Sequence, residues 1–200
     1  MSNLLKYVLP IYLVVYFAAA FLWRSYLVWK RTGVNPYALG NTDTAHDFIG
    51  WLFRLILLVS AATVVVYAVS DTVYQWLTPI AWLQHPALSV IGLGLLLLSL
   101  VWILVAQAQM GNAWRIGIDT NAKTELVRTG LFRLSRNPIF LGMRVTLLGF
   151  FLALPNAATL AVLLMGDVLM QIQVRLEEEY LMRRHGEAYR DYCRRVRRWI

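Results

Sequence analysis

The stretch IGLGLLLLSLVWILVA, residues 91–106, carries no charged side chain. It forms the centre of an apolar segment that covers residues 86–109. A helix needs about 20 mainly apolar residues to cross the hydrocarbon core of a bilayer. The segment therefore predicts a membrane-spanning helix, and it sets the kind of fold that the rest of the chain must complete.

Further apolar segments flank this one on both sides. They cover residues 4–29, 48–70, 139–154 and 157–174. Only Pro155 and Asn156 separate the last two, which predicts a tight helical hairpin. We therefore predict an all-α integral membrane helical bundle of about five transmembrane helices. Residues 1–200 form a single membrane domain in this prediction, with three helices in 1–109 and a loop, the hairpin and a C-terminal helix in 110–200.

Composition also indicates lipid as the solvent of this chain. Of its 200 residues 59% are hydrophobic and 15% charged, whereas soluble domains average about 45–50% apolar and about 25% charged. The net charge of +8 accompanies eight Trp and long apolar runs. We therefore expect membrane lipids as the anionic partner and no nucleic acid. Cys193 is the single cysteine, which excludes a disulfide within the chain.

The distribution of basic residues predicts the orientation. Residues 71–85, between the second and third segments, contain no Lys or Arg. Most of the basic residues lie between the first and second segments, between the third and fourth, and after the fifth. Positively charged loops stay in the cytoplasm. With every basic residue except Lys6 assigned to the cytoplasmic face, an odd number of spans fits, with the N-terminus outside and the C-terminus cytoplasmic.

Two opposite charges lie inside the last two apolar segments. Arg144 and Asp167 are equally far from the turn between Pro155 and Asn156, roughly 17 Å at 1.5 Å per residue, so antiparallel helices place them at one depth. Charges in lipid are costly and usually pair or line a cavity. We expect an Arg144–Asp167 pair that faces the bundle interior; the alternative is that each faces a separate polar gap.

A long polar stretch, residues 111–136, precedes the fourth apolar segment. Long loops in compact domains are usually functional or disordered. Pro138 suits the first turn of a helix. Arg136 and Asn137 should then lie at a helix N-terminus, where unpaired backbone N–H groups favour an anionic ligand group.

An acidic triplet follows the fifth segment. Glu177, Glu178 and Glu179 should emerge on the cytoplasmic side, where a basic loop beside them completes a cradle for a ligand with both an ammonium and a carboxylate. The alternative is a plain helix end with i,i+4 ion pairs, such as Glu179 with Arg183. The residues alone leave both interpretations open.

Several motifs in the second half of the chain occur together and in order. They are Leu126-Val127-Arg128-Thr129-Gly130-Leu131-Phe132, Arg136-Asn137-Pro138-Ile139-Phe140, Glu177-Glu178-Glu179-Tyr180-Leu181, Gly186-Glu187-Ala188-Tyr189 and Tyr192. With the hydrophobic hairpin between them, these motifs resemble the isoprenylcysteine carboxyl methyltransferase family, specifically its small prokaryotic integral membrane members. The resemblance covers residues 110–196.

The resemblance implies S-adenosylmethionine as cofactor, bound in a cytoplasmic pocket, and methyl transfer to a lipophilic small molecule or lipid. It also implies a bacterial inner membrane location. Matched residue by residue, the cofactor-binding positions are Thr124, Glu125, Leu126, Val127, Phe132, Asn137, Pro138, Ile139, Phe140 and Glu177. The helix start and the acidic triplet add Arg136 and Glu178 to this set. We expect no metal site.

The chain departs from the family at several of these positions. Asn137 stands where the family often has His, and Phe132 and Phe140 stand where it often has Tyr. Gln173 stands where the prenylcysteine enzymes carry an Arg that meets the substrate carboxylate, and Gln lacks the charge and the fork of Arg. Arg175 points about 200° away from Gln173 on a helix. These changes argue against a prenylcysteine carboxylate as the acceptor.

The expected substrate-facing residues are Gln173, Arg144 and Asp167. A carboxylate acceptor needs no base, whereas an amine or a thiol must lose a proton. The candidate bases are Asp167 and the Glu177–Glu179 group, and the sequence singles out no catalytic residue among them. Two other functions remain open: an NADPH-dependent membrane reductase of the sterol reductase type, and a non-catalytic membrane protein that binds the cofactor.

Overall fold

The computed structural model describes residues 2–37, 44–117 and 126–200, and in these ranges the chain is helical, with no β-strand. The α-helices are α1 (Ser2–Phe17), α2 (Arg24–Thr32), α3 (Ala45–Val69), α4 (Asp71–Gln75), α5 (Pro86–Met110), α6 (Pro138–Ala153), α7 (Ala157–His185) and α8 (Glu187–Arg195). α5 packs most extensively on α6, α7 packs on both α3 and α6, and α1 packs on α3.

The helix lengths confirm an integral membrane protein. Within the described ranges, Asn3–Thr32, Ala45–Val69, Pro86–Ala113 and Ala157–His185 are long and apolar enough to cross a bilayer, and Pro138–Ala153 is a shorter apolar helix. The short helix has 16 residues and is about 24 Å long, so local thinning of the bilayer can accommodate it. The all-α bundle of about five transmembrane helices is therefore confirmed.

The first span is one continuous helix with a π-helical insertion. Residues Ala18–Trp23 form the π-helical turns between α1 and α2. Such wide turns are rare and often lie at functional sites. Here the carbonyl of Ala20 accepts a hydrogen bond of 2.9 Å from Gln107 Nε2 on α5, and both residues are fully buried. The insertion thus joins the first span to α5 by a polar contact.

The predicted hairpin between α6 and α7 is present, and its turn has a clear sequence origin. The Asn156 side chain accepts from Thr159 N at 3.0 Å, and Thr159 Oγ1 accepts from Asn156 N at 3.2 Å. This reciprocal capping box satisfies backbone donors at the start of α7. Ile80 N donates to Pro155 O at 3.0 Å, so the chain before α5 covers the turn.

Helix α7 is longer than its apolar run. The sequence predicted a span over residues 157–174, but the helix continues unbroken to His185. Glu179 lies 3.7 Å from Arg183 in the i,i+4 pair that a helix end predicts. Successive helical residues point about 100° apart, so Glu177, Glu178 and Glu179 face three different surroundings.

The two ends of the bundle differ in charge. We call one end the basic end; it carries the end of α2, the start of α6, the end of α7 and α8. The opposite end carries α4 and the α6–α7 turn, and there Lys6 Nζ lies 2.6 Å from Asp71. The antiparallel order of the helices brings the basic segments of the sequence to one end.

Glycines allow α5 and α6 to touch backbone to backbone. A Cβ atom on Gly92 would lie 2.4 Å from Ala153 N and 2.7 Å from Gly149 O. A Cβ on Gly149 would lie 2.9 Å from Gly92 O. Small residues at such crossings permit close approach of membrane helices.

We expect Gly92→Ala to destabilise the protein by about 1–3 kcal/mol, because the new methyl group must push the α6 backbone away. Gly94→Ala is the matched control on the same helix, since nothing lies within 4 Å of a Cβ placed there. Thermal unfolding of the purified protein measures both. Equal melting temperatures for the two variants would contradict the close crossing.

Candidate functional site

A cavity of about 280 Å³ lies at the basic end among α1, α3, α5, α6 and α7. Its lining is mostly aromatic and aliphatic, and the aromatic members are Tyr16, Phe21, Tyr37, Phe53, Trp114 and Phe140. Small-molecule sites are typically apolar clefts with a few well-placed polar groups, in volumes from roughly 300 Å³ upward. We call this space the main cavity.

One carboxylate and its amide partner line the main cavity from α7. Glu177 and Gln173 are one helical turn apart, and Gln173 Nε2 donates to Glu177 Oε1 at 3.0 Å. Gln173 is 5% exposed. Arg175 faces away, as predicted, and donates to the Gln171 carbonyl at 2.5 Å on the exposed side. The acidic side chain on this wall is therefore Glu177.

Two guanidinium groups also line the main cavity. Arg54 Nη2 donates to the Tyr37 hydroxyl at 2.5 Å, and the guanidinium carbon lies 5.7 Å from the centre of the same ring. Arg115 Nη1 donates to the carbonyls of Asn112 and Trp114, both at 2.8 Å. The cavity thus offers both an anionic and a cationic side chain to a zwitterionic ligand.

Gln107 adds a polar atom that the sequence did not single out. Its side chain is 3% exposed and lines the main cavity. A carbonyl only accepts, so the amide NH₂ must face Ala20 O. Oε1 then has no hydrogen-bond partner among the described residues. A buried carbonyl oxygen left in this way favours a ligand that brings an N–H or O–H donor.

Glu178 points away from the main cavity and gathers three partners. Its carboxylate accepts from Arg136 Nη2 at 3.1 Å, from Asn137 Nδ2 at 2.9 Å and from Arg198 Nη2 at 2.8 Å. We call these four residues the Glu178 cluster. The carboxylate of Glu178 thus lies beside the start of α6, where the sequence predicted an anionic ligand group.

The C-terminal segment closes over the Glu178 cluster. Arg136 N donates to Arg197 O at 3.0 Å, and Ser135 Oγ donates to Arg198 O at 3.1 Å. Tyr192 OH donates to Phe132 O at 2.5 Å. Burial raises the pKa of Tyr192 to about 12, so its hydroxyl keeps this proton at neutral pH. The segment before α6 and the end of the chain are therefore joined by hydrogen bonds.

The predicted Arg144–Asp167 pair is present, with Nε 2.5 Å from Oδ1. The prediction that it faces the bundle interior is wrong, because the two side chains remain 30% and 37% exposed. Trp199 covers the outer side, with its ring centre 4.6 Å from the Arg144 guanidinium carbon. Neither residue lines the cavities described here. The pair therefore contacts the C-terminal segment, through Trp199, and does not face the interior of the bundle.

The other predicted site residues fall into separate groups. Ile139, Phe140, Gln173 and Glu177 line the main cavity, and Arg136, Asn137 and Glu178 form the cluster beside it. Pro138 is buried at the start of α6. Phe132 is also buried, and its carbonyl accepts the hydrogen bond from Tyr192. Leu126 and Val127 are half-buried and do not line the main cavity. Thr124 and Glu125 lie outside the described residues.

A smaller apolar cavity of about 80 Å³ borders the main cavity on the side of the opposite end. The two share Tyr16, Phe53, Leu57 and Met143 in their linings. The small cavity extends along α1 and α3 to Leu9 and Val64. Sequence reasoning missed it because apolar residues in a membrane helix give no sign of which face borders a void.

Comparison with known proteins agrees with this architecture. Residues 88–188 match the model of the phospholipid methyltransferase family. This region runs from the start of α5 to the start of α8. A second match is a Haemophilus influenzae protein described as uncharacterized, 38% identical over 63 residues that cover 31% of this chain and 100% of that protein.

The matched family lies within the superfamily that the motifs resemble, which confirms the resemblance. It also favours the methyltransferase interpretation over the reductase one. The main cavity lies within the matched region on the α5, α6 and α7 sides. The chain belongs to the phospholipid methyltransferase family of membrane methyltransferases, within the isoprenylcysteine carboxyl methyltransferase-like superfamily.

Proposed function

We propose that this chain transfers the methyl group of S-adenosylmethionine to a lipophilic acceptor, a carboxylate, an amine or a thiol. The observation that carries the proposal is that a cavity with charged side chains lies next to an apolar cavity and shares part of its lining. The main cavity contains Glu177, Arg54 and Arg115, and through Tyr16 and Met143 it meets a lining without charged residues. A polar cofactor and a lipophilic substrate need such neighbouring spaces.

The residues of the main cavity fit the proposed cofactor. An adenine ring suits the aromatic lining, and an amino acid group carries one ammonium and one carboxylate. Glu177 would hold the ammonium, and Arg54 or Arg115 the carboxylate, since charge-assisted hydrogen bonds are the strong ones. Gln107 Oε1 would accept from a hydroxyl or amino donor. When bound, the cofactor supplies an electrophilic methyl group on sulfur.

The protein's own part in the reaction is to align the reactants and exclude water. Alignment of two reactants can supply roughly 7–11 kcal/mol of a barrier in ideal cases. The membrane-spanning helices around Tyr16 and Phe53 would keep the reacting atoms away from water. Of the carboxylates considered as bases, Glu177 lines the cavity, while Glu178 and Asp167 are engaged by arginines. Glu177 is assigned to the cofactor's ammonium, so the proposal names no base among these carboxylates.

We further propose that the basic end faces the cytoplasm of a bacterial cell, in the inner membrane, with the N-terminus outside. Positively charged segments are retained in the cytoplasm, and these segments gather at the basic end. The cofactor would then enter from the cytosol and the acceptor from the bilayer. The domain arrangement predicted from sequence, with the catalytic half in residues 110–200, is part of this proposal.

A ligand titration tests the cofactor. The purified full chain is titrated with S-adenosylhomocysteine and, separately, with NADPH, while its melting temperature is followed. A true ligand stabilises by mass action, by about 2.7 kcal/mol at 100 times its dissociation constant. We expect stabilisation by S-adenosylhomocysteine alone.

Stabilisation by NADPH alone would instead support a reductase. Turnover on a panel of lipophilic carboxylates, amines and thiols then tests the transfer itself. Stabilisation by S-adenosylhomocysteine without methylation of any member of the panel would favour a non-catalytic protein that binds the cofactor.

A further inference from the structure

A second recess at the basic end is lined by arginines. Arg128, Arg133 and Arg195, with Tyr192 and Val196, surround a space of about 540 Å³. We call it the arginine groove; it shares no lining residue with the main cavity. We propose that the arginine groove binds the phosphate group of an anionic phospholipid. This proposal is independent of methyl transfer.

The charges of the arginine groove are uncompensated in the part of the chain that the structure describes. Three other exposed arginines at this end have carboxylate partners there: Arg183 with Glu179, Arg190 with Glu187 and Arg194 with Asp191. Arg195 donates through Nε to the Asp191 carbonyl, at 3.2 Å, and to no carboxylate. Among the residues that the structure describes, no acidic side chain lines the groove. Guanidinium groups bind phosphate in bidentate fashion, so an anion of this kind fits the site.

The backbone beneath these arginines is held in place. Arg133 ends a 3₁₀ turn, Gly130–Arg133, and Leu131 N in this turn donates to Gln109 Oε1 on α5 at 2.7 Å. Tyr192 on α8 is 4% exposed and reaches the same turn through Phe132 O. The turn and α8 therefore form two fixed walls. Charged side chains on a preorganised frame lose less freedom on binding.

Neighbouring apolar side chains place the arginine groove at the membrane surface. Leu134, next to Arg133, is 56% exposed. The apolar helix α6 begins shortly after it in sequence, at Pro138. Trp199, packed on Arg144 of α6, is of the type enriched at headgroup level. A phosphate bound in the arginine groove would therefore lie at the level of the lipid headgroups. The acyl chains of the same lipid would lie next to Leu134.

Lipid binding by the full chain tests the proposal. The protein in detergent is titrated with phosphatidylglycerol, phosphatidylcholine and inorganic phosphate, and its melting temperature and the lipid retained in native mass spectra are recorded. We expect phosphatidylglycerol to bind at least tenfold more tightly than phosphatidylcholine. The double variant Arg128→Gln with Arg133→Gln should lose this preference.

The matched control is Arg183→Gln with Arg190→Gln, which removes the same charge from exposed, ion-paired positions and should keep the preference. Equal losses in both double variants would overturn the proposal, since the effect would then come from net charge. Stabilisation by inorganic phosphate without any preference for phosphatidylglycerol would overturn the lipid assignment. The proposal would also be overturned if the Arg128→Gln with Arg133→Gln variant lost affinity for S-adenosylhomocysteine and kept its lipid binding. The groove would then belong to the cofactor site.

Discussion

Glu178→Gln is expected to destabilise the folded protein by about 3–5 kcal/mol, the usual cost of removing one partner from a buried ion pair. The Glu178 carboxylate is 10% exposed and the Arg136 side chain 11%. Burial by itself would lower the pKa of Arg136, but its hydrogen bonds to Glu178 raise that pKa above the ordinary value. Without the carboxylate, a buried guanidinium would remain with no counter-charge.

The effect should extend to the C-terminal segment. Arg198 reaches the same carboxylate at 2.8 Å, and its carbonyl accepts from Asn137 Nδ2 at 3.3 Å. Loss of the Glu178 charge would therefore loosen the C-terminal segment, which covers the start of α6. Limited proteolysis near residues 196–200, together with thermal unfolding, measures both consequences.

Glu179→Gln is the matched control for this prediction. Glu179 is the next residue on α7, its side chain is 70% exposed, and its pair with Arg183 is open to solvent. Exposed pairs of this kind typically contribute 1 kcal/mol or less, about 0.3–0.5 in an i,i+4 pair. A melting temperature equally reduced in Glu178→Gln and Glu179→Gln would contradict the structural role of the cluster.

Glu177→Ala should act in the opposite way, on ligand binding and with little effect on folding. In the proposed site Glu177 forms a charge-assisted hydrogen bond to the cofactor's ammonium, and such bonds contribute about 1.5–3 kcal/mol. Affinity for S-adenosylhomocysteine should therefore fall roughly 10- to 150-fold. Among the described residues its hydrogen-bond partner is Gln173 on the same helix, so the loss of tertiary contacts is small.

Isothermal titration with S-adenosylhomocysteine measures the affinity, and thermal unfolding without ligand checks the fold. Glu179→Ala again serves as the control, because it removes the same charge from the same helix outside the cavity. Unchanged affinity in Glu177→Ala would show that the family's cofactor glutamate does not correspond to this position. A strongly destabilised Glu177→Ala would show that the role of this residue is structural.

The membrane fold was predictable because lipid imposes strong rules on composition. Long apolar runs, basic connections and the Pro155–Asn156 break were enough to identify the spans and the hairpin. The equal depth of Arg144 and Asp167 followed from helical rise, and their pairing is confirmed. The direction that this pair faces was not predictable, since it depends on how α6 and α7 pack against the other helices.

The candidate site was predictable in part. The family motifs led to Ile139, Phe140, Gln173 and Glu177, and all four line the main cavity. The motifs could not show that Glu177 lines the main cavity while Glu178 belongs to the cluster beside it. That difference depends on which neighbouring helix or segment each side chain of α7 contacts. Gln107 was missed, since a single polar residue near the end of an apolar run has no sequence signature.

The sequence by itself determined that this chain is helical, lies in a membrane and belongs to a methyltransferase family, because hydropathy and local motifs are properties of short stretches. Tertiary structure alone decided which polar groups line the main cavity. Asn137 donates to Glu178, and Arg198, on a segment that folds back from beyond α8, donates to the same carboxylate. Contacts between distant parts of the chain arise only when the helices pack, so no short stretch of sequence could show that the Glu178 carboxylate meets Arg136, Asn137 and Arg198.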